Sequence, residues 1–298
     1  EIEIGILHSR EKNFYSKKNF THEDANHFYS IIDGIAWNPD AAIICSPASM
    51  HLNQANKLLS NNIPVLIEKP LLTGEENTEE IDRLFDLAKQ LPVEVGYVNR
   101  YHPLAQEVKD IIDKKELGVV VDAEFYCGSW LKDWRKNINY EQSVSTKKEL
   151  GGGALLELSH EIDMAYYLFG RIHLKGAILV NTGLLKTDAE DMATLICKDN
   201  KDASISIRLN YCSQPSKRHL NIRGALGEIM WDLVGQRLTV IKWDNSKIVK
   251  SIKLERNKLF EMQLLHFFER IEVPKEPKCS IAEALQVVKC IQQARSIG

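Results

Sequence analysis

Three short segments of the sequence place polar side chains directly beside apolar runs or glycines. They are Val65–Pro70, Gly96–Pro103 and Gly151–Asp163. Lys69 follows the apolar run of the first segment, and His160 lies on a helix predicted for the third. Histidine accepts or donates a proton near neutral pH, and a lysine ammonium stabilises an oxygen that becomes negative. This pair of residue types suits the interconversion of a secondary alcohol and a ketone.

The third segment carries Glu157, His160 and Asp163 at intervals of three residues. On a helix this interval places side chains on neighbouring turns of one side. We predict a single helix that opens at the triple glycine Gly151–Gly153 and runs to Phe169. The two carboxylates also leave open a hydrolase that uses Glu157 and Asp163 as a pair. Such an enzyme leaves the Glu-Lys-Pro triplet unexplained.

The first hundred residues alternate short β-branched runs with amphipathic stretches. This alternation predicts an α/β domain with a parallel sheet, whose carboxyl edge is where ligands bind. The predicted strands are Glu1–Leu7, Ala41–Cys45, Pro64–Ile67 and Val93–Tyr97, and the predicted helices are His51–Ser60 and Glu76–Gln90.

The pattern changes after residue 100, where strands predominate between residues 172 and 252. Ser204–Tyr211 alternates apolar and polar residues, as in an antiparallel sheet with one packed face. The other predicted elements are the helix Leu104–Lys114, the strand Val119–Gly128 and the helices Asn257–Ile271 and Ser280–Ser296. We therefore predict domains over residues 1–100 and 101–298, the second an α+β domain with a mainly antiparallel open sheet.

The composition excludes several classes of protein. The chain has 298 residues with 38 basic and 41 acidic side chains, a net charge of −3, so nothing indicates a nucleic-acid partner. No apolar run is long enough to span a membrane, and no signal peptide is visible. The six cysteines fit no disulfide or zinc spacing, so we expect reduced thiols, no metal and a cytoplasmic location.

The three segments, in this order, resemble those of the Gfo/Idh/MocA oxidoreductases, the family of glucose–fructose oxidoreductase and inositol dehydrogenase. The resemblance runs from residue 1 to about residue 296 and implies a Rossmann domain that binds NADP or NAD. It implies hydride transfer between the nicotinamide and a carbon of a sugar, nucleotide sugar or cyclitol. It also implies that Lys69 and His160 handle the substrate hydroxyl, with Glu157 as a further catalytic residue.

Two features depart from the family pattern. No G-x-G-x-x-G loop occurs near the start, so Glu1–Leu7 corresponds to the second Rossmann strand and its central neighbour is missing. We expect either that the natural chain begins earlier or that the cofactor site is degenerate. The second departure is Glu157-x-x-His160, where the family usually has Asp-x-x-x-His.

The resemblance and the fold rule together give a set of candidate binding residues. Ser9 and Arg10, after the first predicted strand, suit the 2′-phosphate of NADP, whereas an acid there would mark NAD. The candidate cofactor-binding residues are Ser9, Arg10, Ser46, Pro47, His51, Glu68, Lys69 and Asn99. The candidate substrate-binding residues are Arg100, Trp134, Arg135, Tyr140 and Asp163. Alternatives stay open for three of them: His51 as a helix residue without a ligand, Arg100 as a structural ion pair, and Asp163 as a bond to a neighbouring element.

The sequence thus predicts an NAD(P)-dependent sugar oxidoreductase. Segment 127–170 resembles family members associated with bacterial surface-sugar biosynthesis, which implies a role in that process. The main alternative is a non-catalytic regulator or sensor that binds dinucleotide, favoured by the absent glycine loop. Retention of both Lys69 and His160 disfavours it. An exposed sheet face in the second domain suggests a homodimer or homotetramer.

Overall fold

The structure is a computed structural model that describes residues 2–8, 25–135 and 139–298. Its described amino-terminal part contains five short strands, three helices and two 3-10 turns. In chain order they are β1 (Gly5–Leu7), β2 (Asn26–Phe28), α1 (Ile31–Ala36), β3 (Ala42–Ile44), the 3-10 turn Ala48–Met50, α2 (His51–Leu59), β4 (Val65–Ile67), α3 (Thr78–Ala88), β5 (Val93–Val95) and the 3-10 turn Val98–Tyr101.

The amino-terminal strands are all parallel, as predicted, and they form two separate sheets. β3, β4 and β5 pair in that order, and β1 pairs with β2. Every residue of β4 and β5 is buried, including Glu94 of β5, and the burial of β4 on both faces explains its wholly apolar sequence. Within the described residues no ladder joins β1 to β3. The carboxyl ends of β4 and β5 lead into the Glu-Lys-Pro and Asn-Arg segments, so these two strands place both segments at one sheet edge.

The second part begins with α4 (Pro103–Asp113) and is built on an eight-stranded sheet. The order is β13-β12-β11-β10-β6-β9-β8-β7, and every pairing is antiparallel except β6 with β9. The strands are β6 (Val120–Gly128), β7 (Ile172–Val180), β8 (Met192–Asp199), β9 (Ser204–Asn210), β10 (Lys217–Gly224), β11 (Gly227–Asp232), β12 (Arg237–Lys242) and β13 (Lys247–Ser251). The mainly antiparallel α+β architecture predicted for this part is therefore confirmed.

One face of the large sheet is packed and the other is open. The packed face carries residues such as Phe125, Ile205, Ile207 and Leu209, all almost fully buried. Helices α5 (Ala154–Glu157), α6 (His160–Phe169) and α8 (Ile281–Ile297) contact this sheet, while α7 (Arg256–Glu272) packs near the 3-10 turn after β5. None of the described helices is long and apolar enough to cross a membrane.

The prediction of one helix from the triple glycine to Phe169 is wrong, because the segment forms two helices. Gly151 and Gly153 have positive φ values of 90° and 107°, so the helix begins only at Ala154. Leu158 leaves helical geometry, and α6 starts afresh at His160. β2 and α1 were not predicted, since three- and six-residue elements show too little periodicity to stand out.

Candidate active site

Lys69 joins the amino-terminal sheet to the junction of α5 and α6. It lies two residues after the end of β4, and its Nζ donates to the backbone oxygen of Glu157 over 2.8 Å. The Glu157 carboxylate oxygen Oε2 lies 3.7 Å from the same nitrogen. Because α5 ends at Glu157, the carbonyl group there is free of helical hydrogen bonding and available to the ammonium.

His160 is the first residue of α6, three positions after the Lys69 contact. Its partly buried ring packs edge to face against the Tyr97 ring, with centroids 5.7 Å apart and an angle of 84°. Its Nδ1 atom is buried without a hydrogen-bond partner among the described residues. Burial, and then the charges of Lys69 and Arg218, hold the pKa of His160 well below its usual range. The imidazole is therefore neutral at pH 7, and Lys69, Glu157 and His160 lie together.

Glu68 lies beside Lys69 at the same strand end. Its Oε2 accepts a hydrogen bond from the Lys69 amide over 3.2 Å, and burial raises the pKa of its carboxyl group. Gly96, just after β5, has no side chain, so the Glu68 side chain can pack closely against its backbone. A Cβ at Gly96 would lie 3.2 Å from both the Glu68 Cα and its Oε2. The carboxylate is thus held by two neighbouring strand ends.

For His51, predicted to bind the cofactor, the surroundings favour the alternative of a helix residue without a ligand. Its side chain is buried at 1% exposure, and its ring nitrogens lie 2.9 Å from the Pro70 oxygen and 2.8 Å from the Ser46 oxygen. Both nitrogens therefore face backbone carbonyls, and the neutral ring, favoured because burial lowers its pKa, donates its one N–H to one of them. His51 thus contacts both the loop after β3, which contains Ser46 and Pro47, and the loop after β4, which contains Lys69 and Pro70. It helps to fix the position of the Lys69 segment.

The structure describes three of the remaining cofactor-binding candidates, Asn99, Ser46 and Pro47. The Asn99 Nδ2 atom is buried and has no hydrogen-bond partner in the part of the chain described, so an amide donor is left for a ligand. Ser46 donates its hydroxyl to Gln54 Oε1 over 2.7 Å, and Pro47 begins the turn that follows. Ser9 and Arg10 lie outside the described residues.

Arg100 and Asp163, predicted to bind substrate, form a buried ion pair with each other instead. Arg100 is 2% exposed and Asp163 1%. Arg100 Nη2 donates to Asp163 Oδ1 over 2.6 Å, and Nε lies 3.0 Å from Oδ2. A charge this deeply buried needs such a partner, and neither group is left for a substrate. The pair also removes the hydrolase alternative, since Asp163 cannot act with Glu157.

Trp134, Arg135 and Tyr140 line one small recess, together with Leu131 and Ser143. The Trp134 ring packs edge to face on the Tyr211 ring at 5.3 Å. Burial first, and then the Glu157 and Glu190 carboxylates, raise the pKa of Tyr211 well above its usual range. Tyr211 therefore lies between the aromatic recess and the Lys69–Glu157–His160 group.

Three residues of this region were missed by sequence reasoning. Tyr97 contacts His160, Tyr211 lies beside Glu157, and Glu190 holds the start of α5. The Glu190 backbone oxygen accepts from Ala154 N over 2.9 Å, and its Oε1 accepts from Leu155 N over 3.1 Å. Nothing in the local sequence around them marks these contacts, because each joins positions distant along the chain.

Two family models match this chain in tandem. The oxidoreductase family, NAD-binding Rossmann fold, matches residues 4–98, and the GFO/IDH/MocA C-terminal domain matches residues 105–230. The chain belongs to the Gfo/Idh/MocA oxidoreductase family. An uncharacterised oxidoreductase of Synechocystis sp. is 29% identical over 224 residues, which are 70% of this chain and 59% of the relative. The chain thus spans less than two thirds of that relative's length.

Solved Gfo/Idh/MocA-like structures share the fold of the described chain. Levoglucosan dehydrogenase in complex with NADH and levoglucosan has a TM-score of 0.77 at 18% identity, covering 91% of this chain and 82% of that one. UDP-N-acetylglucosamine 3-dehydrogenase from Acidithiobacillus ferrooxidans has a TM-score of 0.71 at 20% identity with the same coverage. At these identities the likeness concerns the fold.

Proposed function

We propose that this chain is an NAD(P)-dependent dehydrogenase or reductase that acts on a CH–OH carbon of a sugar, nucleotide sugar or cyclitol. The observation that supports it most is the meeting of Lys69, Glu157 and His160 where β4 ends. This edge of a Rossmann sheet is where a dinucleotide binds. A charged ammonium and a neutral imidazole beside one another supply what alcohol oxidation requires.

The residues at the strand ends fit the nicotinamide half of a dinucleotide. Asn99 presents a buried amide donor with no partner in the described chain, which is a group that a carboxamide oxygen would satisfy. Pro47 and Glu68 flank the same edge and would hold the ring with it. When bound, the nicotinamide would supply the hydride acceptor or donor.

His160 handles the proton of the substrate hydroxyl in this proposal. Its lowered pKa keeps the ring neutral at pH 7, so a ring nitrogen accepts the hydroxyl proton during oxidation. In the reverse direction the protonated ring returns that proton to the carbonyl oxygen. The same residue thus serves both directions, as microscopic reversibility demands.

Lys69 stabilises the negative charge that develops on the substrate oxygen. Glu157 holds its ammonium through a backbone oxygen and a carboxylate, which leaves further N–H donors free because an ammonium has three. A preorganised donor of this kind is worth most where charge appears in the transition state. Glu157 is therefore a residue that positions Lys69.

The aromatic recess supports a ring-shaped or phosphorylated substrate. Trp134 and Tyr140 offer apolar faces for a sugar ring, and Arg135 offers a fork of donors for hydroxyl or phosphate oxygens. Both solved neighbours act on carbohydrates by their names, one on levoglucosan and one on a UDP-sugar. We assign the recess to the part of the substrate remote from the oxidised carbon.

For the cofactor we favour NADP over NAD on the sequence alone. Ser9-Arg10 stands where an acid would select NAD. Loss of an Arg10 hydrogen bond to a 2′-phosphate should weaken the binding of NADPH by about 1–3 kcal/mol. Titration of the parent and Arg10→Ala with NADPH and NADH by tryptophan fluorescence tests this. Equal affinity of the parent for both cofactors would refute the preference.

The function itself is tested by a substrate panel. Inositols, anhydrosugars, hexoses and UDP-sugars are each incubated with NAD⁺ and NADP⁺, and the absorbance of the reduced nicotinamide is followed. We expect turnover of at least one carbohydrate, lowered by about 10²–10⁴-fold in Lys69→Met and retained in the exposed control Lys89→Met. Tight binding of dinucleotide without turnover of any compound would support the regulator or sensor instead.

A further inference from the structure

The 3-10 turn after β5 and the start of α6 meet at two points with the same spacing. Tyr97 and Arg100 are three residues apart, as are His160 and Asp163. Residues three apart lie on one side of a helix such as α6, and Tyr97 is the residue that caps the 3-10 turn containing Arg100. Tyr97 packs its ring against His160, and Arg100 binds Asp163 one turn further on. The two contacts together fix both the position and the rotation of α6.

The Arg100 end of this contact is itself held from a third element. Its Nη1 donates to the Lys278 oxygen over 2.7 Å and to Glu283 Oε1 over 2.6 Å. The other Glu283 oxygen, Oε2, accepts from the backbone and the hydroxyl of Ser280 at the start of α8. Arg100 therefore cannot move away from Asp163 without losing its bonds to Lys278 and to the capping residue of α8, Glu283.

The Tyr97 end is equally constrained. The side chain is fully buried, and its hydroxyl donates to Ser159 Oγ over 3.4 Å. Burial raises the pKa of Tyr97 well above its usual range, so the hydroxyl stays protonated and remains a donor. Ser159 immediately precedes His160, so Tyr97 contacts two successive residues at the break between α5 and α6.

We propose that Tyr97 and Arg100 are positioning residues that form a two-point anchor and hold the His160 ring opposite Lys69. Both anchor residues follow β5, and Lys69 follows β4, which pairs with β5. The anchor thus ties His160 to the same sheet edge that carries Lys69. The catalytic meaning of the anchor rests on the proposed function, whereas the placement of the ring does not.

If the Arg100–Asp163 pair served stability alone, replacing both residues by apolar ones would leave the His160 ring in place. Replacing a buried ion pair by apolar residues of similar size is often neutral or stabilising, whereas removing one partner is harmful. The double substitution Arg100→Met with Asp163→Leu therefore separates stability from positioning. It also leaves the net charge near His160 unchanged, and the half-exposed Glu283 carboxylate can hydrate.

The first experiment titrates the His160 ring by NMR in the 298-residue protein, with its signals assigned through His160→Gln. The charged groups near the ring are Lys69 and Arg218, with Glu157 beside Lys69 and Glu161 beside Arg218. In the apolar double variant we expect an unchanged thermal midpoint and a His160 pKa that rises toward its ordinary value. A folded double variant with the parental His160 pKa and ring signals would overturn the Arg100 half of the anchor.

The second experiment addresses Tyr97 with a matched pair of variants. Tyr97→Leu removes the ring that packs on His160, whereas Tyr97→Phe keeps the ring and removes only the hydroxyl. We expect the His160 ring signals to shift and broaden in the leucine variant and to stay near the parental positions in the phenylalanine variant. Parental signals in Tyr97→Leu would overturn the proposal, and this arm decides alone if the apolar double variant does not fold.

The outcome is separable from that of the proposed function, because no substrate enters either NMR experiment. Shifted His160 signals in a protein that oxidises no carbohydrate would leave the anchor standing and refute the dehydrogenase. An active dehydrogenase whose His160 signals are unchanged in both sets of variants would refute the anchor and leave the dehydrogenase standing.

Discussion

The ammonium of Lys69 connects the two parts of the candidate site at the level of single residues. It belongs to the strand end of the Rossmann sheet, yet it binds the Glu157 carbonyl and lowers the pKa of His160. One positive charge thus has two effects. In the proposed reaction it stabilises a negative substrate oxygen, and it adds to burial in lowering the pKa of the neighbouring imidazole.

Removal of that charge should change the pH dependence in a defined direction. Alcohol oxidation needs neutral His160, which predominates above its pKa. In Lys69→Met the ammonium no longer lowers the pKa of His160, so this pKa rises. The acid limb of any residual activity therefore moves to higher pH. NMR titration of His160 measures the same shift without a substrate. An unchanged or lower pKa in Lys69→Met, with Lys89→Met as the control, would contradict this.

At the scale of elements, the break between α5 and α6 creates the Lys69 site. A continuous helix would bond the Glu157 carbonyl internally, whereas the short α5 leaves it to the ammonium. That break lies at Leu158 and Ser159, whereas the glycines before α5 set where α5 begins. Gly153 has φ 107° and ψ 152°, a conformation almost reserved for glycine, and a Cβ there would lie 2.5 Å from Glu190 Oε1.

We therefore expect Gly153→Ala to destabilise the fold more than Gly170→Ala. Gly170 also has positive φ, but a Cβ there meets nothing within 4 Å among the described residues. Gly170→Ala should cost about 1–2 kcal/mol for the backbone strain alone. Gly153→Ala should add about 1–3 kcal/mol for crowding against Glu190. Urea unfolding of both variants measures the difference, and equal losses would show that the Glu190 contact is unimportant.

The sequence was sufficient for elements whose pattern is local. Ile205, Ile207 and Leu209 alternate with polar residues and lie on the buried face of β9, as predicted. Lys69 and His160 were identified from their neighbours in sequence, and they do lie in one region. The interruption at Leu158 and Ser159 was not foreseeable, because the groups that contact it, Lys69 and Tyr97, come from parts of the chain distant in sequence.

Three of the candidate binding residues have internal partners instead, for one physical reason. Polar type and position near the sheet edge suggested that His51, Arg100 and Asp163 bind ligands, but each is satisfied internally. Whether a polar side chain faces a pocket or a buried partner depends on tertiary packing. Arg100 meets Asp163 across 63 positions and Glu283 across 183, separations at which a single sequence carries no signal.

At the scale of the whole molecule, the open face of the large sheet is the feature most suited to self-association. Ile178, Ile196 and Met230 are exposed on it, and Tyr126 stacks on His219 there at 5.1 Å. Exposed apolar side chains on a broad flat face are typical of an interface. We propose that two or four copies of the chain pack through this face.

A charge placed on that face should prevent assembly without unfolding the chain. Ile196→Lys tests the open face, and Ile248→Lys on the edge strand β13 is the control, since the two isoleucines are 45% and 44% exposed. Sedimentation velocity should show a dimer or tetramer for the parent and the control and a monomer for Ile196→Lys. A parent that sediments as a monomer, or an Ile196→Lys variant that still assembles, would contradict this interface.

The central claim is that Lys69 and His160 act on one substrate oxygen, and a double-mutant cycle on kcat tests it most directly. With a substrate from the panel and saturating cofactor, Lys69→Met and His160→Gln should each lower kcat by about 10²–10⁴-fold with little change in cofactor affinity. Because the two groups serve the same oxygen, the double variant should be only slightly slower than the slower single variant. Near-normal turnover in either single variant, or losses that multiply fully in the double variant, would contradict the claim.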